Sequence, residues 1–164
     1  MGLEIERKFL VKKESWLALV KPDGKHYRQG YLLNDKDRVV RVRIAGEQGY
    51  ITIKGEAVGF SRLEFEYPIP KSDAEEMLLH FKTEGTEKIR YRIPASGGLT
   101  WEVDEFLAAN EGLVMAEIEL PSEEQTFELP EWIAAEVTYD GRFSNSNLAL
   151  HPYTSWLPEE QPKL

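Results

Sequence analysis

The sequence predicts a mainly β chain with a minor α component: an eight-stranded antiparallel β-barrel or tunnel with a charged interior and a few short outer helices. Two observations carry this. Eight segments alternate apolar and polar residues with a period of two, the repeat of a strand with unlike faces. In seven of the eight, the polar positions hold long, fully charged side chains, where Lys, Glu and Asp are ordinarily depleted. Any one such strand fits a sandwich whose outer face is laced with ion pairs. Recurrence along the chain favours closure, because the apolar faces need cover and short outer helices supply it. An eight-stranded barrel has an interior filled by side chains or by one small ligand.

The elements follow in order. "LEIERKFLV" (Leu3 to Val11) opens the sheet with Glu4, Glu6 and Lys8 at one parity and Ile5, Arg7 and Phe9 at the other. "ESWLALVKPDGK" reads as a short helical or irregular crossing ended by Pro-Asp-Gly. "HYRQGYLLN" is a second strand, and "RVVRVRIA" and "YITIKG" form a hairpin across "GEQG". "FSRLEFEYPI" alternates until Pro68 and Pro70 close it or place it on an edge. In "KSDAEEMLLHF" the period changes: Met77, Leu78 and Phe81 make a helical stripe behind a Ser72/Glu75 capping-box signature. "EKIRYRIP", "LTWEVDEF" and "LVMAEIEL" return to alternation. Pro121 with Ser122/Gln125 predicts a second helix to about Phe127, and "EWIAAEV" and "SNSNLAL" read as short helices. Residues 1–152 read as one domain and 153–164 as a polar, Pro-rich tail.

Composition limits the function. A net charge of −9 argues against general nucleic-acid binding, but not against a small polyanionic substrate gripped by locally clustered cations. No apolar run approaches the roughly 18 residues of a membrane span. Charge within the first four positions argues against a signal peptide, and cysteine is absent, so neither a disulfide framework nor a thiolate metal site is expected. A cytoplasmic protein is the expectation.

The charged parity has a chemistry. Glu4, Glu6, Glu117 and Glu119, with Glu102 and Asp104, offer only hard oxygen ligands, which suit Mg²⁺ or Mn²⁺. Lys8, Arg41, Arg43, Lys54, Arg62, Lys88 and Arg90 offer phosphate donors. Carboxylates with metal facing cations is the apparatus of phosphoryl transfer. P-loop, kinase and zincin motifs are missing. Glu64 and Glu66 are expected to pair with neighbouring cations, His26, His80 and His151 to be surface or structural groups, the four tryptophans to be core, and Asp140 to serve a turn.

"EIERKFLV", "RVRI", "YITIKG", "SRLEFE", "EKIRYRI", "WEVDEF", "AEIEL" and "EVTYDGRFSNSNLA" follow one another in this order from about Glu4 to Leu150. The set resembles the CYTH superfamily, the triphosphate tunnel metalloenzymes, and in particular its short bacterial tripolyphosphatases. The resemblance implies divalent-metal-dependent hydrolysis of a triphosphate inside a β-tunnel. The metal carboxylates would be Glu4, Glu6, Glu117 and Glu119, with Asp104 nearby. The phosphates would be held by Lys8, Arg41, Arg43, Lys54, Arg62, Lys88 and Arg90. Glu6 and Glu119 would help orient the attacking water, and Tyr31 with Lys54 would favour inorganic tripolyphosphate over a nucleotide. Arg142 and Asn147 match without an implied role. A class IV-type adenylate cyclase, a thiamine triphosphatase and a non-catalytic polyphosphate- or nucleotide-binding module are the alternatives, and a homodimer through the helices or the tail is compatible with the sequence.

Overall fold

The computed structural model describes residues 2–164. Its strands are β1 (Gly2–Val11), β2 (Lys25–Asn34), β3 (Arg38–Ala45), β4 (Gln48–Gly55), β5 (Ser61–Ile69), β6 (Glu84–Pro94), β7 (Thr100–Phe106), β8 (Val114–Glu119) and β9 (Ile133–Glu136). The helices are α1 (Lys13–Ala18), α2 (Lys71–Phe81) and α3 (Asn145–Leu150). The strands lie in the order β5-β4-β3-β2-β6-β7-β8-β1, and β1 pairs back onto β5 to close the ring. All of these pairings are antiparallel. The closed eight-stranded barrel expected from the alternation therefore forms, with β9 added to it.

Parity decides what looks inward. On β1, Glu4, Glu6 and Lys8 face the interior, while Ile5, Phe9 and Val11 face out and join Trp101, Val103, Ala116 and Ile118 in an outer core. Trp16 of α1 and Trp132 cover that face, with the Trp16 and Trp132 rings 5.4 Å apart. On the opposite flank, Val42 and Ile44 of β3 bury against Ala74 and Leu78 of α2. The helix sits close because Gly49 leaves room: a Cβ there would lie 2.9 Å from the Ala74 Cβ and 3.0 Å from the Ile69 carbonyl oxygen. Gly46, at φ +61°, makes the two-residue turn of the β3–β4 hairpin, where the favoured turns demand positive φ.

One end of the barrel is closed by apolar packing. Leu10, Phe106 and Met115, at inward parity, meet Phe143, Leu148, Tyr153 and Trp156 from the C-terminal segment. Helix α3 lies across this end, held by hydrogen bonds from the Asn34 and Asn110 side-chain amides to the Ser146 and Leu148 carbonyls.

Four local expectations are corrected. Residues 121–124 form bends and a turn and 125–127 are irregular, with only a Gln125-to-Ser122 backbone bond in place of a second helix. "EWIAAEV" contributes β9 instead of a helix, because β5 leaves β1 after Ile5 and the same β1 edge then needs partners at Phe9 and Val11. Pairing demand overrides local pattern there. The Ser72/Glu75 capping box is not made: α2 starts after Pro70 without a side-chain cap. The segment read as a polar tail is anchored at its start, since Tyr153 and Trp156 are buried.

Candidate active site

The barrel encloses a cavity of about 480 Å³. Its walls are sorted by charge because the strand order sorts them. Neighbouring strands β7, β8 and β1 contribute Glu102, Glu117, Glu119, Glu4 and Glu6, with Lys8 of β1 set among them as a cation opposite Glu117. The contiguous run β6-β2-β3-β4 contributes Arg90, Lys25, Arg41, Arg43 and Lys54. β5 is mixed, with Arg62, Glu64 and Glu66.

Register places like charges side by side on the acidic wall. Glu6 lies directly opposite Glu119, and Glu102 opposite Glu117. Like charges directly opposite in a sheet repel. Burial, then Glu117 and Glu4, push the Glu6 carboxyl up to about 8. Burial, with Glu4, Glu64 and Glu102, also raises Glu119. Burial raises Glu4 against the pull of Lys54. Glu117 goes the other way: burial alone would raise it, but Lys8, Arg90 and Lys88 hold it well below the usual carboxylate range. Among the described residues no three acidic or histidine groups form a ready ligand cluster. Glu4 is turned instead to Lys54, at 3.1 Å, and Glu117 to Arg90, at 3.7 Å.

The basic wall has donors to spare. Lys54 lies between Glu4 and Glu64, 3.1 Å from each. Arg41 donates to Thr52 at 3.3 Å and stands 3.6 Å from Glu66, yet its buried Nε has no partner. Arg43 donates its Nε to the neutral Gln29 at 2.8 Å, and Arg62 donates to the Gly55 carbonyl. Among the described residues neither Arg43 nor Arg62 forms an ion pair. Burial, Arg41 and Arg90 lower Arg43 to about 10. Buried guanidinium groups without carboxylates call for an anion.

Eleven of the thirteen sequence-selected residues line this cavity: Glu4, Glu6, Lys8, Tyr31, Arg41, Arg43, Lys54, Arg62, Arg90, Glu117 and Glu119. The other two, Lys88 and Asp104, are fully buried behind the wall. Both Asp104 oxygens are engaged, by Arg90 at 2.7 and 2.8 Å and by Lys88 at 2.7 Å. Burial would raise Asp104, but Arg90 and Lys88 outweigh it and keep the carboxylate ionised. Burial drives Lys88 down to about 7 against the pull of Asp104. Glu64 and Glu66 pair with Lys54 and Arg41, and Glu102 with Arg90 and Arg92. Asp140 caps the turn at Gly141–Phe143, and Arg142 folds back onto it at 2.6 Å, outside the cavity. His26 and His80 form exposed pairs with Glu87 and Glu76.

Sequence reasoning missed the neutral polar residues. Gln29, Thr52 and Thr86 are buried at inward parity, each two positions before a selected residue. Ser144, Asn145 and Ser146 line the cavity from the start of α3. Parity would have found the first three; nothing local marks the last three.

An antiparallel barrel whose interior opposes a carboxylate wall to a wall of arginines and lysines defines a tunnel-type site for a polyanion. The chain belongs to the CYTH domain family, whose model matches residues 2–149. It is 51% identical over 157 residues to a protein of Acetivibrio thermocellus named inorganic triphosphatase, covering 95% of this chain and 99% of that one. An inorganic triphosphatase of Nitrosomonas europaea is 38% identical over 156 residues, covering 90% and 97%. Among solved structures, that of the inorganic triphosphatase NE1496 superimposes with a TM-score of 0.63 at 33% identity, covering 92% of this chain and 96% of that one. A putative adenylate cyclase from Bacillus halodurans shares the fold, with a TM-score of 0.60 at 23% identity, covering 76% of this chain and 84% of that one.

Proposed function

We propose that this chain is a divalent-metal-dependent inorganic triphosphatase that hydrolyses tripolyphosphate to pyrophosphate and phosphate. One observation carries the reading: the cavity holds buried guanidinium donors, the unpartnered Nε of Arg41 and an Arg43 that forms no ion pair among the described residues, facing a wall of crowded carboxylates. The near full-length similarity to two inorganic triphosphatases supports the same conclusion.

The acidic wall fits a hard divalent cation. Its donors are all carboxylate oxygens, and the burial and repulsion that raise Glu6 to about 8 are relieved by a cation. Glu4, Glu6, Glu117 and Glu119 would hold Mg²⁺ or Mn²⁺. Such an ion, when bound, supplies charge neutralisation at phosphate oxygens and acidifies a water. Asp104, engaged by Arg90 and Lys88, serves better as the group that aims Arg90 than as a ligand.

The chain's own groups then divide the work. Lys8, Arg41, Arg43, Arg62 and Arg90 grip phosphate oxygens, with Lys88 acting from behind through Asp104. They fix the triphosphate for in-line attack and stabilise charge on the transferred group. Glu6 and Glu119 orient the attacking water, and one of the two accepts its proton. Lys54 stabilises the departing pyrophosphate, and the Tyr31 ring, buried against the same cavity, orders it. Apart from Pro22, Val39, Ala45 and three tyrosines, every lining side chain is charged or carries a hydroxyl or amide.

The test offers tripolyphosphate, ATP and thiamine triphosphate in parallel with Mg²⁺ or Mn²⁺. Fastest release of phosphate from tripolyphosphate is expected. Cyclic AMP with pyrophosphate from ATP would overturn the hydrolase reading.

A further inference from the structure

Behind the basic wall, a chain of hydrogen bonds links the phosphate-facing arginines to the helix that closes the barrel. Arg43 Nε donates to Gln29 Oε1 at 2.8 Å. Gln29 Nε2 donates to Thr86 Oγ1 at 3.0 Å and reaches Asn145 Oδ1 at 3.4 Å. Asn145 Oδ1 also accepts from Lys88 Nζ at 3.1 Å. Lys88 donates to Asp104, which holds Arg90 by a two-pronged contact. Each amide has only one orientation that works. Guanidinium and ammonium groups are donors only, so Gln29 must offer its oxygen to Arg43 and Asn145 its oxygen to Lys88. The Gln29 amide nitrogen is thereby directed at the Asn145 oxygen. Gln29 is almost fully buried, and Asn145 is the first residue of α3.

We propose that Gln29 and Asn145 are positioning residues that lock Arg43 and Arg90 into a fixed phosphate grip and make α3 part of that grip. The inference rests on the triphosphatase reading for its substrate. A neutral acceptor is the required group at Gln29. A carboxylate there would pair with Arg43 and cancel the charge the phosphate needs, whereas an apolar side chain would leave Arg43 Nε unpaired and free to turn. With Nε committed to Gln29, the two terminal nitrogens of Arg43 are left for substrate, and the Tyr27 ring, 4.9 Å from the guanidinium, limits its swing. Asn145 holds the other end of the chain by accepting from a lysine with no solvent exposure.

A double-mutant cycle tests this, with tripolyphosphate affinity measured by calorimetry and turnover by phosphate release. Gln29→Leu is expected to weaken tripolyphosphate binding about tenfold, the size of a charge-assisted hydrogen bond. In an Arg43→Ala background it should cost less than twofold, because there is no guanidinium left to aim. Asn145→Ala should weaken binding several-fold and Asn145→Asp less, since the carboxylate keeps the acceptor that Lys88 needs. Thermal unfolding of each variant separates lost positioning from lost folding. An equal loss in both Arg43 backgrounds, or no loss in Gln29→Leu, overturns the proposal. Binding without cleavage by the unaltered protein would sink the hydrolase reading and leave the cycle decisive. Cleavage with an additive cycle would do the reverse. Absence of tripolyphosphate binding by the unaltered protein overturns both.

Discussion

Glu6 shows at a single residue how the site trades stability for chemistry. It faces Glu119 across the β1–β8 ladder and lies among Glu4 and Glu117, so its ionised form is opposed by burial and by like charge. A cation removes that opposition. Glu6→Gln keeps the shape and deletes the charge. It should lower metal-dependent turnover by about a hundredfold or more, the scale of a positioned acid–base group, while raising the metal-free melting temperature at pH 8. Phosphate release and a melting curve on the same sample check both. Full activity in the variant would remove Glu6 from the proposed site. Residues of this kind are legible in sequence because strand parity and full charge mark them. Gln29 and Asn145 are harder to read: parity turns Gln29 inward, but a neutral amide there resembles ordinary strand composition until a cation is placed against it, and nothing local marks Asn145.

At the scale of elements, the strands that build the walls were readable for the same reason: each side of the pleat repeats one character. β9 was not. Ile133–Glu136 carries no alternation of its own and becomes a strand only because β1 has an open edge at Phe9 and Val11. The Arg7–Glu136 contact at 2.6 Å then fastens it outside the barrel. Ser122/Gln125 failed in the opposite sense, as a capping signature with no apolar stripe behind it to pack. Packing of α2 makes a sharper prediction. Its Ala74 sits over Gly49, and the atoms a new methyl would meet are another Cβ and two backbone carbonyls, none of which can swing aside. Gly49→Ala should therefore displace the helix and destabilise the fold by about 1–3 kcal/mol. The urea midpoint should fall with its slope unchanged. An unaltered midpoint would mean that α2 shifts freely on the barrel.

For the whole molecule, the enclosed charges set how stability follows pH. Glu6 is raised to about 8 from an unfolded value near 4.5, and Glu4 and Glu119 shift in the same direction. Between those limits the folded chain binds protons that the unfolded chain has released, so stability falls as pH rises, by about 1 kcal/mol per unit for Glu6. Glu117, Glu64 and Asp104 shift downward, so their contribution is complete above about pH 5 and is lost only on further acidification. Lys88, lowered to about 7 from 10.5, destabilises the fold most below pH 7, and stability recovers as pH climbs above it. The metal-free melting temperature should therefore decline from pH 5 to 7 and turn upward beyond about 8. Mg²⁺ or Mn²⁺ at saturating concentration should flatten the declining limb, because a cation on the acidic wall keeps Glu6 ionised without cost. The stabilisation by metal must then grow from pH 5 to 7. A metal-induced shift of constant size across that interval would show that the cation does not bind at the Glu6 carboxylate.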